Sequence, residues 1–276
     1  MKNKKIIFII IFGILLIGFF SIFNSLDSYY EKGIKDYYTN KKLSSIIPQN
    51  IKDLIEEIIY KRVSTYNNFK FKKNETKNEK LKNINLLFKT YSSSFLKLTG
   101  PRSYLSYFDQ NLFLITGTGI LMHASLDNIK DEKFFLKRIN TNFEDIVGEN
   151  YIKRERGIVR NLLINNNKIY VSYIKKTNDE CFTNEILVSD LKFEKIKFHT
   201  FFNTNECQPF YDNQVGGNLS VFKDNKILMT IGDYKSYEHP DQRNNNPQNL
   251  NSFMGKIISI DEKTKEYKIL SMGHRN

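Results

Sequence analysis

Two stretches of this chain repeat one plan, in which a short apolar strand, a polar turn and a second apolar strand follow one another. They are "RNLLINNNKIYVSYI" at 160–174 and "NLSVFKDNKILMTIGD" at 218–233. In both, a polar turn, "NNN" or "KDN", precedes Lys-Ile and the second strand. Apolar runs on either side of turn-forming residues are typical of a β-hairpin. The repetition of this hairpin limits the choice of folds more than any other feature of the sequence.

Further strand-like runs follow each copy of the hairpin. "EILVSDL" and "EKIKFHT" follow the first copy, and "GKIISID" and "EYKILSM" follow the second. Four strands therefore recur at a spacing of about 50 residues, which is typical of the blades of a β-propeller. An immunoglobulin-type sandwich is the main alternative, but it does not predict the same hairpin at blade spacing.

Three earlier runs, "YLSYF", "LFLIT" and "ILMHAS", are separated by "DQN" and "GTG" and also predict successive antiparallel strands. The predicted fold is all-β, a partial β-propeller of about three blades over residues 84–276.

The N-terminal residues predict a membrane anchor. "MKNKK" is basic, and residues 6–23, "IIFIIIFGILLIGFFSIF", are uncharged and close to the roughly 20 apolar residues that cross a bilayer. A cleavable signal peptide is the alternative, but "FNSLDSYYEK" is a poor cleavage site. The flanking lysines, Lys2, Lys4 and Lys5, are expected to keep the N-terminus in the cytoplasm. Residues 1–26 are therefore predicted to be a basic tip and anchor, with the rest of the chain extracytoplasmic, or periplasmic in a Gram-negative cell.

Residues 27–83 are rich in Lys, Asn and Tyr and are predicted to be a stalk or packing segment. Within them, "IKDLIEEIIYKR" has apolar residues at the spacing of an amphipathic helix. These residues are Ile51, Leu54, Ile55, Ile58 and Ile59.

The net charge of +12 raises the question of a nucleic-acid partner. The excess is mostly Lys, however, scattered among Asn and Ile along the whole chain, with no Arg-rich stripe and no nucleic-acid-binding motif. The prediction is that the chain has no nucleic-acid partner.

The chain has two cysteines, Cys181 and Cys207, each beside turn-like sequence. In an oxidising compartment they are expected to form a structural disulfide between neighbouring loops, and two free thiols are the alternative. Because no paired histidines accompany them, they do not have the spacing of a metal site.

Three motifs follow in order near the end of the chain: "QVGGNLSVFKDNKILMTIGD" (214–233), "NLNSFMGKIISID" (249–261) and "GHRN" (273–276). Their order and spacing resemble those of the soluble aldose sugar dehydrogenases, also called the glucose/sorbosone dehydrogenase family. Upstream, "ERGIVRNLLINNNKIYVSYI" resembles that family's Glu-x-Gly-Leu segment. The resemblance is fairly specific over 155–276, weak over 84–154 and absent before that.

The resemblance implies a six-bladed propeller that binds pyrroloquinoline quinone (PQQ) with calcium and oxidises the C1 hydroxyl of a sugar. By the family's Gly-x-Arg-Asn motif, Arg275 and Asn276 would contact the cofactor. A planar guanidinium suits the acidic oxygens of such a quinone, and an Asn amide offers both a donor and an acceptor. The implied partners are the membrane and a sugar substrate.

The chain departs from the family at the position of its base. Gln214 stands where the family has the histidine that takes the proton of the hydroxyl, and an amide cannot accept that proton near neutral pH. His239, in the loop "YEHPDQ", is a candidate substitute base. His123 and His199 lie in strand-like runs and are expected to be ordinary strand residues.

Family members also continue past Gly-x-Arg-Asn through further blades, so the sequence is expected to be a fragment of a longer reading frame. A naturally short propeller would need a partner chain to cover its open strand edges. Two functions are therefore carried forward. One is a sugar dehydrogenase, and the other is a non-catalytic propeller that binds a sugar, a peptide or a partner protein.

Overall fold

The structure is a computed structural model that describes Pro48, Asn50, Glu57 and Lys61 and then residues 63–276, with gaps at 83, 94–95, 97–101, 131, 156, 179–180, 209–213, 224, 235–245 and 275–276. The chain divides into two compact units, Met1–Ile58 and Ile59–Asn276.

The anchor predicted at 6–23 and most of the helix predicted at 51–62 lie outside the described residues. Asn50, Glu57, Lys61 and Val63 are helical. Among the described residues, no helix has the length and apolar character that crossing a membrane requires.

The first sheet of the second unit has seven strands in the order β2-β1-β6-β5-β4-β3, with the short β10 paired to β6. The strands of the main path are β1 (Asn68–Leu81), β2 (Ile84–Ser92), β3 (Ser103–Phe108), β4 (Asn111–Thr116), β5 (Leu121–Ser125) and β6 (Lys133–Thr141). A 3₁₀ helix (Leu126–Lys130) precedes β6, and two short helices, α1 (Phe143–Val147) and α2 (Glu149–Glu155), follow it.

Two four-stranded antiparallel sheets follow, and each begins with one copy of the repeated hairpin. The second sheet, in the order β11-β9-β8-β7, consists of β7 (Val159–Asn165), β8 (Lys168–Asn178), β9 (Cys181–Asp190) and β11 (His199–Asn203). Between its last two strands lies β10 (Lys195–Ile196). The third sheet consists of β12 (Gly216–Phe222), β13 (Lys226–Ile231), β14 (Lys256–Asp261) and β15 (Tyr267–Met272), and a 3₁₀ turn (Asn246–Gln248) precedes β14. The predicted all-β class is confirmed.

The β7–β8 turn shows why the hairpin sequence was recognisable. Asn165 pairs with Lys168, so the loop is the two residues Asn166 and Asn167, with φ of 50° and 57°. Positive φ at both central residues defines a type I′ turn, which favours Asn and matches the twist of a hairpin.

The three sheets meet through β3, β7 and β12, since β7 contacts both β3 and β12. In the second sheet the consecutive residues 169–174 of β8 and 181–188 of β9 are buried, so both faces of the sheet are covered there. The third sheet alternates instead, with Ile227, Met229 and Ile231 of β13 buried. These positions belong to one continuous apolar core shared by the three sheets.

Strand β1 lies inside the segment 27–83 that the sequence predicted to be a stalk. Its first half pairs with β6 through Asn68–Lys72, and its Phe69 and Phe71 are buried while Lys70 is exposed. The later part, "KNETKNEKL", pairs with β2 and is mostly exposed. The alternation that marks a strand covers only its first few residues, which is why the sequence predicts the β-rich part only from residue 84 onward.

A buried carboxylate joins three strands of the second sheet. The side chain of Glu185 on β9 is fully buried, at 0% exposure. Its Oε1 accepts hydrogen bonds from the hydroxyls of Tyr173 and Thr200 at 3.1 and 2.9 Å. Its Oε2 accepts from the Lys175 ammonium at 2.8 Å and from the Asn203 amide. Burial, and then the Glu185 carboxylate, raise the pKa of Tyr173 far above its usual range, so the tyrosine stays protonated and donates.

Candidate functional site

The motif that begins at Gln214 closes against the end of β13. The main-chain carbonyl of Gln214 accepts a hydrogen bond from the Tyr234 N–H at 3.3 Å, and that of Val215 accepts from the Gly232 N–H at 3.1 Å. A Cβ atom built on Gly232 would lie 1.9 Å from the Gln214 carbonyl oxygen. Only glycine fits there, which explains why the stretch ends in Gly-Asp.

The other two motifs meet the same end of the third sheet. The Gly255 N–H donates to the Gly232 carbonyl at 3.0 Å, and the His274 N–H donates to the Gly255 carbonyl at 3.0 Å. The Gly273 N–H donates to the Pro247 carbonyl at 3.0 Å. Backbone hydrogen bonds therefore link 214–217, 232–234, 247–255 and 273–274 into one surface.

The second sheet supplies two polar side chains to this surface. The Arg160 Nε donates to the Gly216 carbonyl at 3.0 Å, and the Ser172 hydroxyl donates to the Gly217 carbonyl at 2.5 Å. Gly217 has φ +101°, and a Cβ atom there would lie 2.4 Å from the Arg160 Cβ. Gly217 is thus required for β12 to approach β7 closely.

Asn184 of β9 makes a second bridge between the sheets. Its amide donates to the Val215 carbonyl at 3.1 Å, and its Oδ1 accepts from the Tyr234 hydroxyl at 2.6 Å. All three residues are buried. The backbone just after Gln214 is therefore held from both sides.

The loop before β14 is held by Glu206. Its carboxylate accepts from the Ser252 hydroxyl and from the Phe253 N–H, both at 2.6 Å. Glu206 directly precedes Cys207, which is bonded to Cys181 with Cα atoms 4.7 Å apart. The expected disulfide is thus present. It fixes Cys207, which is next to Glu206, the residue that holds the loop.

Lys256 holds the same loop from inside. Its ammonium is fully buried and donates to the carbonyls of Pro247 and Met254 at 2.9 and 2.8 Å. Burial lowers the pKa of Lys256, and the negative charge of Glu206 opposes this shift. Since Pro247 also bonds Gly273, Lys256 supports the backbone that leads into "GHRN".

Removing the disulfide is expected to destabilise the protein. The bond closes a loop with a sequence separation of 26 residues, for which the chain-entropy model gives about 3 kcal/mol. The double variant Cys181→Ser/Cys207→Ser should lose about that much free energy of unfolding in urea denaturation. Wild-type protein reduced with dithiothreitol is the matched comparison, and unchanged stability in both would show that the bond adds nothing.

The structure describes only some of the site residues that the sequence predicted. Gln214 lies at the entrance to β12, and His274 contacts Ser271 through Nε2 at 2.7 Å. The predicted cofactor contacts Arg275 and Asn276, and the substitute base His239, lie outside the described residues and stay predictions. His123 and His199 lie on β5 and β11. Within the part of the chain that is described, no group of three or more His, Cys, Asp or Glu side chains could hold a metal ion.

Sequence reasoning assigned no role to Arg160, Glu206 or Lys256. Arg160 and Lys256 lie within quoted motifs, and Glu206 directly precedes Cys207. Arg160 and Glu206 bond backbone groups that are 56 and 47 residues away, whereas Lys256 bonds carbonyls of its own loop. Lys256, which directly follows a Gly at the start of a strand, could have been singled out from the sequence. A Lys that is buried at such a position must be paired or hydrogen-bonded.

Residues 159–276 match the family model described as Glucose / Sorbosone dehydrogenase. The match covers the segment from β7 onward, and the resemblance recognised from the sequence motifs is confirmed. No protein of curated function matches the chain.

Two similar solved structures are a glucose dehydrogenase (TM-score 0.46, 15% identity, covering 63% of this chain and 52% of that one) and the soluble aldose sugar dehydrogenase of Escherichia coli in the apo form (TM-score 0.45, 14% identity, 63% and 51%). The chain spans about half the length of these structures.

Proposed function

We propose that this protein is a membrane-anchored, extracytoplasmic member of the sugar dehydrogenases that binds PQQ and calcium at the Gln214 end of its sheets. The observation that carries the proposal is the backbone network joining Gln214, Gly232, Gly255 and His274 at one end of the third sheet. The match over 159–276 supports the same conclusion.

The three sheets support a partial β-propeller. One strand from each sheet, β3, β7 and β12, lies beside the next, as the inner strands of successive blades do. On this proposal, further blades or a partner chain complete the ring and cover the edge strand β15.

The described residues would not themselves be ligands of a polar, acidic cofactor. They would instead fix the backbone of the residues that bind it. Hydrogen bonds at His274 and Gly273 fix the backbone that precedes Arg275. The guanidinium of Arg275 and the amide of Asn276 would hold the acidic oxygens of the quinone. When bound, the quinone would supply the acceptor for the hydride of the sugar.

Gln214 limits the proton transfer that the site can perform. Its amide can orient the C1 hydroxyl of a sugar through a hydrogen bond, but it cannot take the proton. A general base contributes about 10²- to 10⁴-fold, so the wild-type protein is expected to be a slow enzyme.

Gln214 also favours a second candidate function, a binding module without turnover. In that case the same surface would hold a sugar, a peptide or a partner protein, and the cofactor residues would serve binding alone.

The extracytoplasmic location is supported by the disulfide, because such bonds persist mainly in oxidising compartments. The uncharged apolar segment at 6–23 behind a basic tip supports the anchor. A mature N-terminus beyond Phe23 in protein isolated from membranes would contradict the uncleaved anchor.

The test is cofactor binding by the full chain. Adding PQQ with Ca²⁺ should give saturable binding at micromolar concentration by calorimetry, followed by slow reduction of an electron-accepting dye with aldoses. Arg275→Ala should weaken binding, while Lys268→Ala on the exposed face of β15 should not. No binding at micromolar cofactor would contradict the enzyme proposal, and binding without turnover would favour the binding module.

A further inference from the structure

A cleft of about 690 Å³ lies at the opposite end of the second sheet from Gln214. At the Gln214 end, Arg160 near the start of β7 meets Gly216, whereas the cleft is bordered by Lys168 after the β7–β8 turn and by Asp190 at the end of β9. Its other wall is the segment 192–197, which connects β9 to β11. A volume of about 300–1,000 Å³ is typical of small-ligand sites.

Alternation in the connecting segment places two lysines and a histidine along one side of the cleft. Ile196 and Phe198 are buried, while Lys195, Lys197 and His199 are exposed and line the cleft. In an extended chain, residues two apart are about 6–7 Å apart on the same side. The three side chains therefore form a row rather than a random cluster.

The row is held in place by the first sheet. Ile196 belongs to β10, which pairs in parallel with β6. The Asn142 side chain accepts from the Phe198 N–H at 2.7 Å and donates to the Phe198 carbonyl at 3.1 Å. The Glu194 carbonyl accepts from the Asn140 N–H at 3.0 Å. These contacts hold the wall in place without a ligand, which lowers the conformational entropy that is lost on binding.

The cleft carries a net positive charge, because its four lysines outnumber the carboxylates of Asp190 and Glu194. Lys192 and Lys168 add to Lys195 and Lys197, and no carboxylate of a described residue lies within 4.0 Å of any of these four ammonium groups. An anion in the cleft would meet several unpaired ammonium groups at short range.

One aromatic ring completes the cleft. Phe193 is 40% exposed and lines it, and the rest of the ring packs on Phe113 and His123, with centroids 5.7 and 4.9 Å away. Burial, and then the charge of Lys137, lower the pKa of His123, so its ring is neutral at pH 7 and packs as an aromatic group. The ring of Phe193 is therefore held in place by its neighbours, and its exposed part faces the cleft.

We propose that this cleft binds a short saccharide that carries anionic groups, such as carboxylate or sulfate, separately from the site at Gln214. The lysines would hold the anionic groups, Phe193 would stack on a sugar ring, and Asp190 and Glu194 would accept hydrogen bonds from sugar hydroxyls. A single-stranded nucleic acid suits the lining less well, because only one ring is available for stacking successive bases.

The test measures binding of fluorescent oligosaccharides to the full chain by anisotropy, without PQQ or calcium. The probes are a sulfated heparin tetrasaccharide, a galacturonate trimer, a neutral cellotriose and a single-stranded oligonucleotide. At least one anionic saccharide should bind more tightly than cellotriose, and its binding should weaken as salt rises. Lys195→Glu/Lys197→Glu should reduce that affinity about tenfold or more, because hydrogen bonds to two charged groups are lost.

The matched control is Lys263→Glu/Lys268→Glu, which makes the same charge change at exposed positions of the third sheet and should leave the affinity within about twofold. Phe193→Leu keeps the packing on His123 and should weaken binding several-fold. The proposal is wrong if no anionic saccharide binds, if both double variants behave alike, or if the oligonucleotide binds more tightly than the saccharides. None of these outcomes depends on dehydrogenase activity, so the proposed function is tested separately.

Discussion

Gln214→His is expected to raise the rate of aldose oxidation by about 10²- to 10⁴-fold, the usual contribution of a general base. An imidazole titrates near neutral pH and can take the proton of a hydroxyl, which an amide cannot do. The change should leave the local fold intact, because Gln214 is held through its main-chain carbonyl to Tyr234. The measurement is dye reduction with aldoses in the presence of PQQ and Ca²⁺.

The pH profile separates a new base from a general gain. With histidine at 214, the rate should rise with pH through the titration of the imidazole and then level off. Gln214→Asn keeps an amide and is the matched control, so its rate should stay low at every pH. If cofactor binds to Gln214→His but the rate does not rise, residue 214 does not occupy the position of the base.

Glu185→Ala is expected to lower the free energy of unfolding by about 3 kcal/mol, because a buried donor left without its acceptor costs about 1–3 kcal/mol and the cavity adds to this loss. The change would leave the Tyr173 hydroxyl without its acceptor in a buried position and would open a cavity between β8, β9 and β11. Lys175 is partly exposed and can return to water, so most of the loss comes from the hydrogen-bonded neutral groups.

Urea denaturation would measure this loss, with the free energy of unfolding falling at the same slope against urea concentration in both proteins. Glu266→Ala removes a carboxylate at an exposed position and should change stability by less than about 0.5 kcal/mol. Glu185→Gln keeps the size but turns an NH₂ group toward donors, so we expect an intermediate loss. Equal stability of Glu185→Ala and wild type would show that the four hydrogen bonds only offset the cost of burying the carboxylate.

The strands of the second and third sheets could be predicted because their information is local. Alternating apolar residues and turn-forming Asn residues are visible in a short window, and the type I′ turn at Asn166 and Asn167 uses that chemistry. Strand β1 could not be placed in the same way, because only Phe69 and Phe71 of its first half carry the buried face.

The supports of the candidate site could not be predicted for a different reason. Arg160 reaches Gly216, and Glu206 reaches Ser252 and Phe253, across two sheets. These contacts depend on how the sheets stack, and residue spacing does not encode that. The motifs located the site, and the structure supplied the side chains that hold its backbone.

The position of Glu206 makes the site sensitive to redox conditions. Its neighbour Cys207 is covalently joined to β9, and its carboxylate holds the loop whose backbone leads, through Gly255, to His274. In a reducing compartment the thiols would separate, and Glu206 would lose its nearest fixed point. The chain could then keep its three sheets while the backbone at Gly273 and His274 is less firmly positioned, so oxidation completes the Gln214 end of the third sheet.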